Sequence, residues 1–458
     1  VKGYLKMNKK QLVLDAVTNK QTQRAPWVPF VGCHAASLLD NVTAEQFFKD
    51  GDLIVKGVKK AVELYDPDGI PVLFDLQLEA EALGCKLRYA DDNPPSVVTH
   101  PLEDGVKLED LKVPTINDGR FALVMKATKQ LCDDLGNDIA MYGLITGPYT
   151  LALHLMGTEI FYEMIDDPDH VMEVLEFCNK VCIACADMYI DAGCDVIAVV
   201  DPMTSQISPD SFEEFVLPYV KQVFNHISDR KKLSSLFVCG DAKKNIEVMS
   251  RCECDNISID ENIPLEYVID ICKKRNVSVG GNIKLTVTML FGSVQDNIND
   301  AMNCMAIGGT KGYILSPGCD MPYATPVDNV LAISAVAHGQ MPESIVSQSS
   351  LDGIEVVIPD YKTEKKVIVD VVTLDSASCA PCQYMMEAVK AACAGLEEDV
   401  EYVEHKIKDK ESVVFMMKLG VSNIPTIVID GEIRYISIVP SVKQLRENIE
   451  KAIELKSK

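Results

Sequence analysis

Leu236-Phe237-Val238-Cys239-Gly240 is an apolar, β-like run that ends on a thiol, and eighty residues later Ser316-Pro317-Gly318-Cys319-Asp320 closes another run in the same way. If both runs are strands of one closed parallel barrel, their C-terminal ends open onto a single mouth and the two thiols converge there. Two soft thiolates in one place suit zinc. A cysteine taken alone is more often a small buried apolar residue, so the placement at strand ends carries the metal reading.

Outward from these two runs, β-rich segments alternate with helical ones from about Trp27 to Ser334, the rhythm of a parallel sheet with crossover helices. The runs are Val28–Gly32, Gly69–Phe74, Ile139–Thr146, Asp195–Val200, Ser234–Cys239, Asn256–Asp260, Val277–Ile283 and Gly312–Ser316. Eight of them in this span predict an α/β fold, a (β/α)8 TIM barrel. Polar, small and proline-rich residues follow each run, and in this fold they share one face. Among them Asp75, Glu79, Asp201 and Asp260 are candidate catalytic groups, able to orient a donor or receive a proton. Gln77, Thr146 and Asn282 are candidate substrate contacts. Trp27, beside Pro26, is expected to pack under the first strand, and His100, His170, His226 and His405 receive no role.

At 458 residues the chain is long enough for a large core followed by a smaller module. Its 44 basic and 68 acidic residues give a net charge of −24, which repels phosphate backbones and anionic membrane surfaces. Nucleic acid and membrane are therefore not expected as partners. No apolar stretch reaches the roughly 20 residues that span a bilayer, and the beginning of the chain lacks a signal-peptide pattern, so a soluble, cytoplasmic protein is expected. The sixteen cysteines fit reduced thiols better than a disulfide framework. Cys178, Cys182 and Cys185 recur at helical spacing and read as packing. Val1 to Lys6 precede the barrel pattern and stay outside the fold argument.

Composition breaks after Gly339. Residues 1–339 read as the barrel, 340–364 as a linker with Pro342, Pro359 and Ser347-Gln348-Ser349-Ser350, and 365–458 as a second domain. In that domain Lys366–Leu374 reads as a strand, Cys382–Cys393 as a helix, Val400–Ile407 and Pro425–Ile429 as strands, and Ser441–Leu455 as the last helix.

Cys379-Ala380-Pro381-Cys382 between a strand and a helix, with Ile424-Pro425-Thr426 opening a later strand, resembles a thioredoxin-like domain. The resemblance implies a redox pair at Cys379 and Cys382, with the first cysteine activated at a helix N-terminus and a cis proline at Pro425 against the disulfide. Ser378 stands where thioredoxins carry tryptophan, which sets this module apart from general protein-disulfide reductases. A structural zinc half-site is the alternative, but no second cysteine pair follows at finger spacing.

Pro71 to Gly84, with Asp75-x-Gln77-x-Glu79-Ala80-Glu81, together with Phe237-Val238-Cys239-Gly240 and Pro317-Gly318-Cys319-Asp320, resembles the uroporphyrinogen decarboxylase superfamily. Within it, the chain is most similar to the cobalamin-dependent methyltransferases, over residues 7 to 339. The Arg-x-x-x-Arg motif of the decarboxylases is absent, its place taken by Gly32-Cys33-His34-Ala35-Ala36-Ser37. The resemblance implies zinc held by Cys239 and Cys319. The family's histidine two residues before the first cysteine is Phe237 here, so a third ligand is needed. His34 is the first choice, with Asp260, Glu79 and Glu81 as alternatives. Cobalamin is expected from a separate corrinoid protein, because the Asp-x-His-x-x-Gly signature is missing; Ala152-Leu153-His154-Leu155-Met156-Gly157 fails at its first position. The expected function is zinc-dependent methyl transfer between a small methylated substrate or thiol and that partner's cobalt, with a fused dithiol module. A metal-independent decarboxylase-like lyase and a thiol-sensing binding protein are the alternatives.

Overall fold

The computed structural model describes residues 8–340, 351, 353–377 and 379–456. Ser378, the extension before Met7 and the proline- and serine-bearing stretch from 341 to 350 lie outside these. The chain divides into two units, one of Val1–Thr204 and Ser208–Ser347, the other of Ser205–Ile207 and Gln348–Lys458.

Seven strands of the larger unit pair in chain order, each parallel to the next: Gly69–Pro71, Ala140–Thr146, Val196–Val200, Leu233–Val238, Asn256–Ile259, Ser278–Gly280 and Tyr313–Ile314. Helices between them supply the crossovers that parallel pairing requires. The expected first run forms no ladder of its own. Pro26 lies just before it and Pro29 within it, and neither carries an N–H to donate. The segment nevertheless closes the barrel through single bonds on both sides. Val28 N–H donates to the Leu315 carbonyl at 3.0 Å, Leu315 N–H to Pro26 at 2.9 Å, and Asp68 N–H to Trp27 at 2.9 Å. Trp27 is fully buried, as expected.

Side chains fill the barrel, as alternation along each strand requires. Phe30, Phe74 and Phe237 form an aromatic plug, with centroids of Phe237 5.1 Å from Phe30 and 6.0 Å from Phe74. Val28, Leu144, Val200 and Ile314 belong to the same core, and Cys239 and Cys319 pack on its edge. Burying each phenylalanine is worth roughly 1.5–3 kcal/mol, so the plug fixes the floor beneath the two thiols. Outside the sheet, Cys178, Cys182 and Cys185 are fully buried in the helix Pro168–Ala192, where burial pushes their thiols up. They are packing residues. No helix among the described residues is long and apolar enough to cross a membrane.

The smaller unit has a four-stranded sheet in the order Val400–Lys406, Val367–Thr373, Thr426–Ile429, Glu432–Ile436, its first pair parallel and the others antiparallel. Val367, Val369 and Val371 alternate onto one face and pack against Met385 and Val389 of the helix Ala380–Cys393 and Leu445 and Ile449 of Val442–Lys456. The helix Lys410–Leu419 and the strand Glu432–Ile436 are additions to the elements read from the sequence. Part of the expected linker is bonded into this unit. Tyr361 donates from its hydroxyl to Asp370 at 2.8 Å, and its ring fills the space where a side chain at Gly431 would stand.

Candidate active site

Strand ends of the barrel place two thiols together. The strand Leu233–Val238 ends one residue before Cys239, and Cys319 follows the turn after Tyr313–Ile314. Their sulfurs lie 2.7 Å apart. Both are half-buried, whereas most other free cysteines are fully buried. The Cys319 thiol, burial, and the charges of Asp260 and Asp320 hold the Cys239 thiol well above its ordinary range. Positive charge at this point would reverse that, because a cation favours thiolates.

The loop carrying Cys239 is held from below. Gly240 N–H donates to Asp260 Oδ2 at 2.8 Å, while Asp260 Oδ1 accepts from Asn262 backbone and side chain, both at 2.9 Å. Asn282 donates its amide to the carbonyls of Asp260 and Ile263 at 2.9 and 2.8 Å. Both amide protons of Asn282 are thus committed to fixing the loop. Burial raises the Asp260 carboxyl despite these donors.

Asp75 and Asp201 are also engaged within the fold. Asp75 pairs with Arg120 at 2.6 Å, and the same guanidinium reaches Glu81 at 2.6 Å. Arg120 carries no motif and was not among the expected residues; it neutralises acids that sequence alone leaves unpaired at the mouth. Asp201 accepts from Tyr149 N–H, Thr150 N–H and Thr150 Oγ1, which caps the helix Pro148–Met156 from the end of the neighbouring strand. Burial pushes its carboxyl up to about 6.

Glu79 is the acid whose surroundings favour the neutral form. It is 1% exposed, and burial pushes its carboxyl up to about 7. Thr146 N–H donates to Glu79 Oε1 at 3.2 Å. Thr146 Oγ1 lies 2.7 Å from the Leu76 carbonyl and 2.9 Å from Glu79 Oε2. One hydroxyl proton cannot serve two acceptors, so a protonated Glu79 completes the chain by donating to Thr146. Beside it, Gln77 Oε1 is buried with no partner among the described residues.

His34 is not brought to the thiols. It is fully buried, with Nε2 2.8 Å from the Tyr65 hydroxyl and Nδ1 3.1 Å from the Tyr323 carbonyl. The imidazole, on the short helix His34–Ser37, is committed to Tyr65 and Tyr323, and no group of three ligating side chains that includes it occurs among the described residues; the expectation that it completes a metal site is corrected on that ground. Among the described residues no three His, Cys, Asp or Glu side chains converge on one point. Two thiolates on one tetrahedral zinc at about 2.3 Å stand about 3.8 Å apart. The pair therefore fits zinc as two soft ligands once its sulfurs separate by about 1 Å.

Two acids were missed by sequence reasoning. Asp320 follows Cys319 directly, and its carboxylate occupies the space a side chain at Gly32 would take. Its Oδ1 is buried with no partner among the described residues, and burial raises the carboxyl well above its ordinary range. Glu261 is pushed up to about 8 by burial and the adjacent Asp260 charge, and its carboxylate accepts from Leu285 N–H. A signal was present for both, since each adjoins a residue already singled out.

In the smaller unit Cys379 and Cys382 are disulfide-bonded, their Cα atoms 5.2 Å apart. Cys379 caps the helix Ala380–Cys393, and Cys382 lies fully buried, its Sγ 3.4 Å from Leu374 N–H. The Ile424–Pro425 bond is cis.

Comparison with known proteins agrees with this architecture. The family model "Uroporphyrinogen decarboxylase (URO-D)" matches residues 8–340, and a thioredoxin domain model matches 367–450. The methylcobamide:CoM methyltransferase MtbA of Methanosarcina acetivorans is 27% identical over 266 residues, covering 57% of this chain and 77% of that protein. MtaA of Methanosarcina barkeri, another methylcobamide:CoM methyltransferase, is 26% identical over 337 residues, 71% of this chain and 96% of that protein. A methyltransferase from Methanosarcina mazei shares the fold, with a TM-score of 0.67, 24% identity, and coverage of 73% of this chain and 99% of that one. The chain therefore belongs to the uroporphyrinogen decarboxylase family, with its barrel at residues 8–340 and a thioredoxin domain behind it.

Proposed function

We propose that the barrel is a corrinoid-dependent methyltransferase, moving a methyl group between a small thiol or methylated substrate and the cobalt of a separate corrinoid protein. The observation that carries this reading is the meeting of Cys239 and Cys319 at the barrel mouth, 2.7 Å apart, in a chain whose relatives are named methylcobamide:CoM methyltransferases. Cys239 and Cys319 would hold zinc, which when bound lowers the pKa of a substrate thiol or polarises a leaving heteroatom.

The chain's own groups supply position and protons. Asp260 and Asn282 fix the turn that carries Cys239, so its sulfur approaches from one direction. Glu79 holds a proton beside Thr146 near neutral pH and is suited to exchange it with a substrate heteroatom. The unpartnered Gln77 Oε1 offers an acceptor to a substrate hydroxyl or amine. Phe30, Phe74 and Phe237 keep water from the floor of the mouth. In the smaller domain, Cys379 and Cys382 would act as a dithiol redox pair, a reading supported by the cis bond at Pro425 in a thioredoxin domain.

Zinc content by elemental analysis, together with demethylation of methylcobalamin using coenzyme M as acceptor, tests the proposal. The expected result is one zinc per chain and a loss of activity of at least a hundredfold in Cys239→Ala and Cys319→Ala. Full activity in metal-free protein would remove zinc from the account. No demethylation by zinc-loaded protein with any thiol would remove methyl transfer.

A further inference from the structure

Two cysteine pairs in this chain are close enough to interconvert between dithiol and disulfide. Cys379 and Cys382 are already joined. Cys239 and Cys319 lie 2.7 Å apart, about 0.7 Å beyond the S–S bond length of about 2.05 Å. No third metal-ligating side chain converges on this second pair among the described residues. The position where a third donor would share the strand face with Cys239 is Phe237, 1% exposed between Phe30 and Phe74. Accessibility favours the same pair. Among the free cysteines only Cys132, Cys239 and Cys319 are other than buried, and the partner nearest Cys132, the buried Cys194, is 4.0 Å away.

We propose that Cys239 and Cys319 are a second redox pair, a disulfide when no metal holds them, and that Cys379 and Cys382 return them to the dithiol by thiol–disulfide exchange. This rests on the dithiol reading of the C-terminal domain and not on methyl transfer. In the oxidising step a low-molecular-weight disulfide takes two electrons and two protons from the mouth thiols as their S–S bond forms. In the return step a low-molecular-weight dithiol first reduces Cys379–Cys382, itself becoming the disulfide; the Cys379 thiolate then attacks one mouth sulfur, releasing the other as a thiol and leaving a mixed disulfide. Cys382 then attacks the Cys379 sulfur and releases the second mouth thiol. One S–S bond is broken and one made, and two electrons and two protons pass to the mouth. Cys379 is partly exposed at a helix N-terminus and Cys382 is buried behind it, the arrangement that separates an attacking from a resolving thiol. The oxidised mouth offers no thiolate to a metal, so exchange decides whether the site can be loaded.

The test uses the full chain, stripped of metal, equilibrated in glutathione buffers from about −300 to −180 mV. Free thiols are alkylated and disulfides mapped by peptide mass spectrometry, with and without zinc. A Cys239–Cys319 disulfide is expected in metal-free protein, reduced at least tenfold by one equivalent of zinc. After full oxidation, limiting dithiothreitol is expected to restore the mouth thiols at least tenfold faster in the parent than in C379S/C382S. Absence of a Cys239–Cys319 disulfide at every potential, or its appearance only together with a Cys132–Cys194 disulfide, overturns the redox pair. Equal recovery rates overturn the exchange. Failure of the dithiol reading itself shows separately, as a Cys379–Cys382 pair that does not titrate in C239A/C319A.

Discussion

The imidazole of His34 accepts from the Tyr65 hydroxyl at Nε2, 2.8 Å away, because its Nδ1–H is given to the Tyr323 carbonyl at 3.1 Å. The two bonds fix one neutral tautomer, and burial pushes the pKa down to about 4, so the ring stays uncharged near neutral pH. His34→Ala is expected to leave zinc stoichiometry unchanged. It strands a buried hydroxyl and carbonyl and costs about 2–4 kcal/mol. Elemental analysis beside chemical unfolding separates the two effects, and zinc loss from a folded variant returns His34 to coordination.

Phe237 lies in the strand Leu233–Val238 and Cys239 directly follows its end, two residues on, and both pack on the same core inside the barrel. Phe237→His would aim an imidazole where the thiols meet and remove an aromatic side chain from the plug. The expected outcome is zinc affinity at least tenfold higher, by chelator competition, with stability lowered by about 2–4 kcal/mol. Unchanged affinity in a folded variant would show that the metal, if bound, sits elsewhere.

These two positions mark what the sequence discloses. Cys239 and Cys319 were legible because each ends an apolar run, and strand ends of a parallel barrel share one rim. The Cys379 and Cys382 pair was legible because motif, helix start and later proline agree. His34 misled because a loop residue's direction depends on the turn around it, here a short helix that presents it to Tyr65. Arg120 was invisible for a related reason. It precedes the helix Phe121–Leu135, and its partners Asp75 and Glu81 lie some forty residues earlier, joined to it only by folding. The first barrel run reads as a strand from its apolar residues, but with Pro26 and Pro29 beside Trp27 and Val28 the segment keeps a single isolated bridge, Trp27 to Leu315. Asp320 followed a singled-out cysteine, yet its burial depends on the glycine at position 32 of a facing loop.

Glu79 titrates at about 7 in the fold against an ordinary 4.5, so the native state binds its proton more tightly than the unfolded chain. The stability this contributes is complete below pH 4.5 and is lost as pH rises through 7. At about 1.4 kcal/mol per unit the change is on the order of 3 kcal/mol. Glu79→Gln keeps the neutral form at every pH. Its stability relative to the parent should therefore rise between pH 5 and pH 8, measured by urea unfolding of the barrel, whereas a constant difference would mean that Glu79 does not titrate in this range.

Asp370 sits at 1% exposure on the central strand of the smaller domain, facing away from the helices that cover Val369 and Val371. It accepts from the Tyr361 hydroxyl and pairs with His405 Nε2, both at 2.8 Å, and the His405 ring stacks on Phe415 at 3.9 Å. A carboxylate here joins three parts of the domain: the segment before the first strand, the edge strand Val400–Lys406 and the helix Lys410–Leu419. Asp370→Ala leaves a half-buried hydroxyl and imidazole without their acceptor and is expected to cost about 2–4 kcal/mol, while Tyr361→Phe removes one bond and costs about 1 kcal/mol. Thermal unfolding followed in the full chain should show the C-terminal transition moving down while the barrel transition stays in place. If Asp370→Ala costs no more than Tyr361→Phe, the carboxylate is not the joint these bonds describe, and the stacked His405 and Phe415 rings hold that face without it.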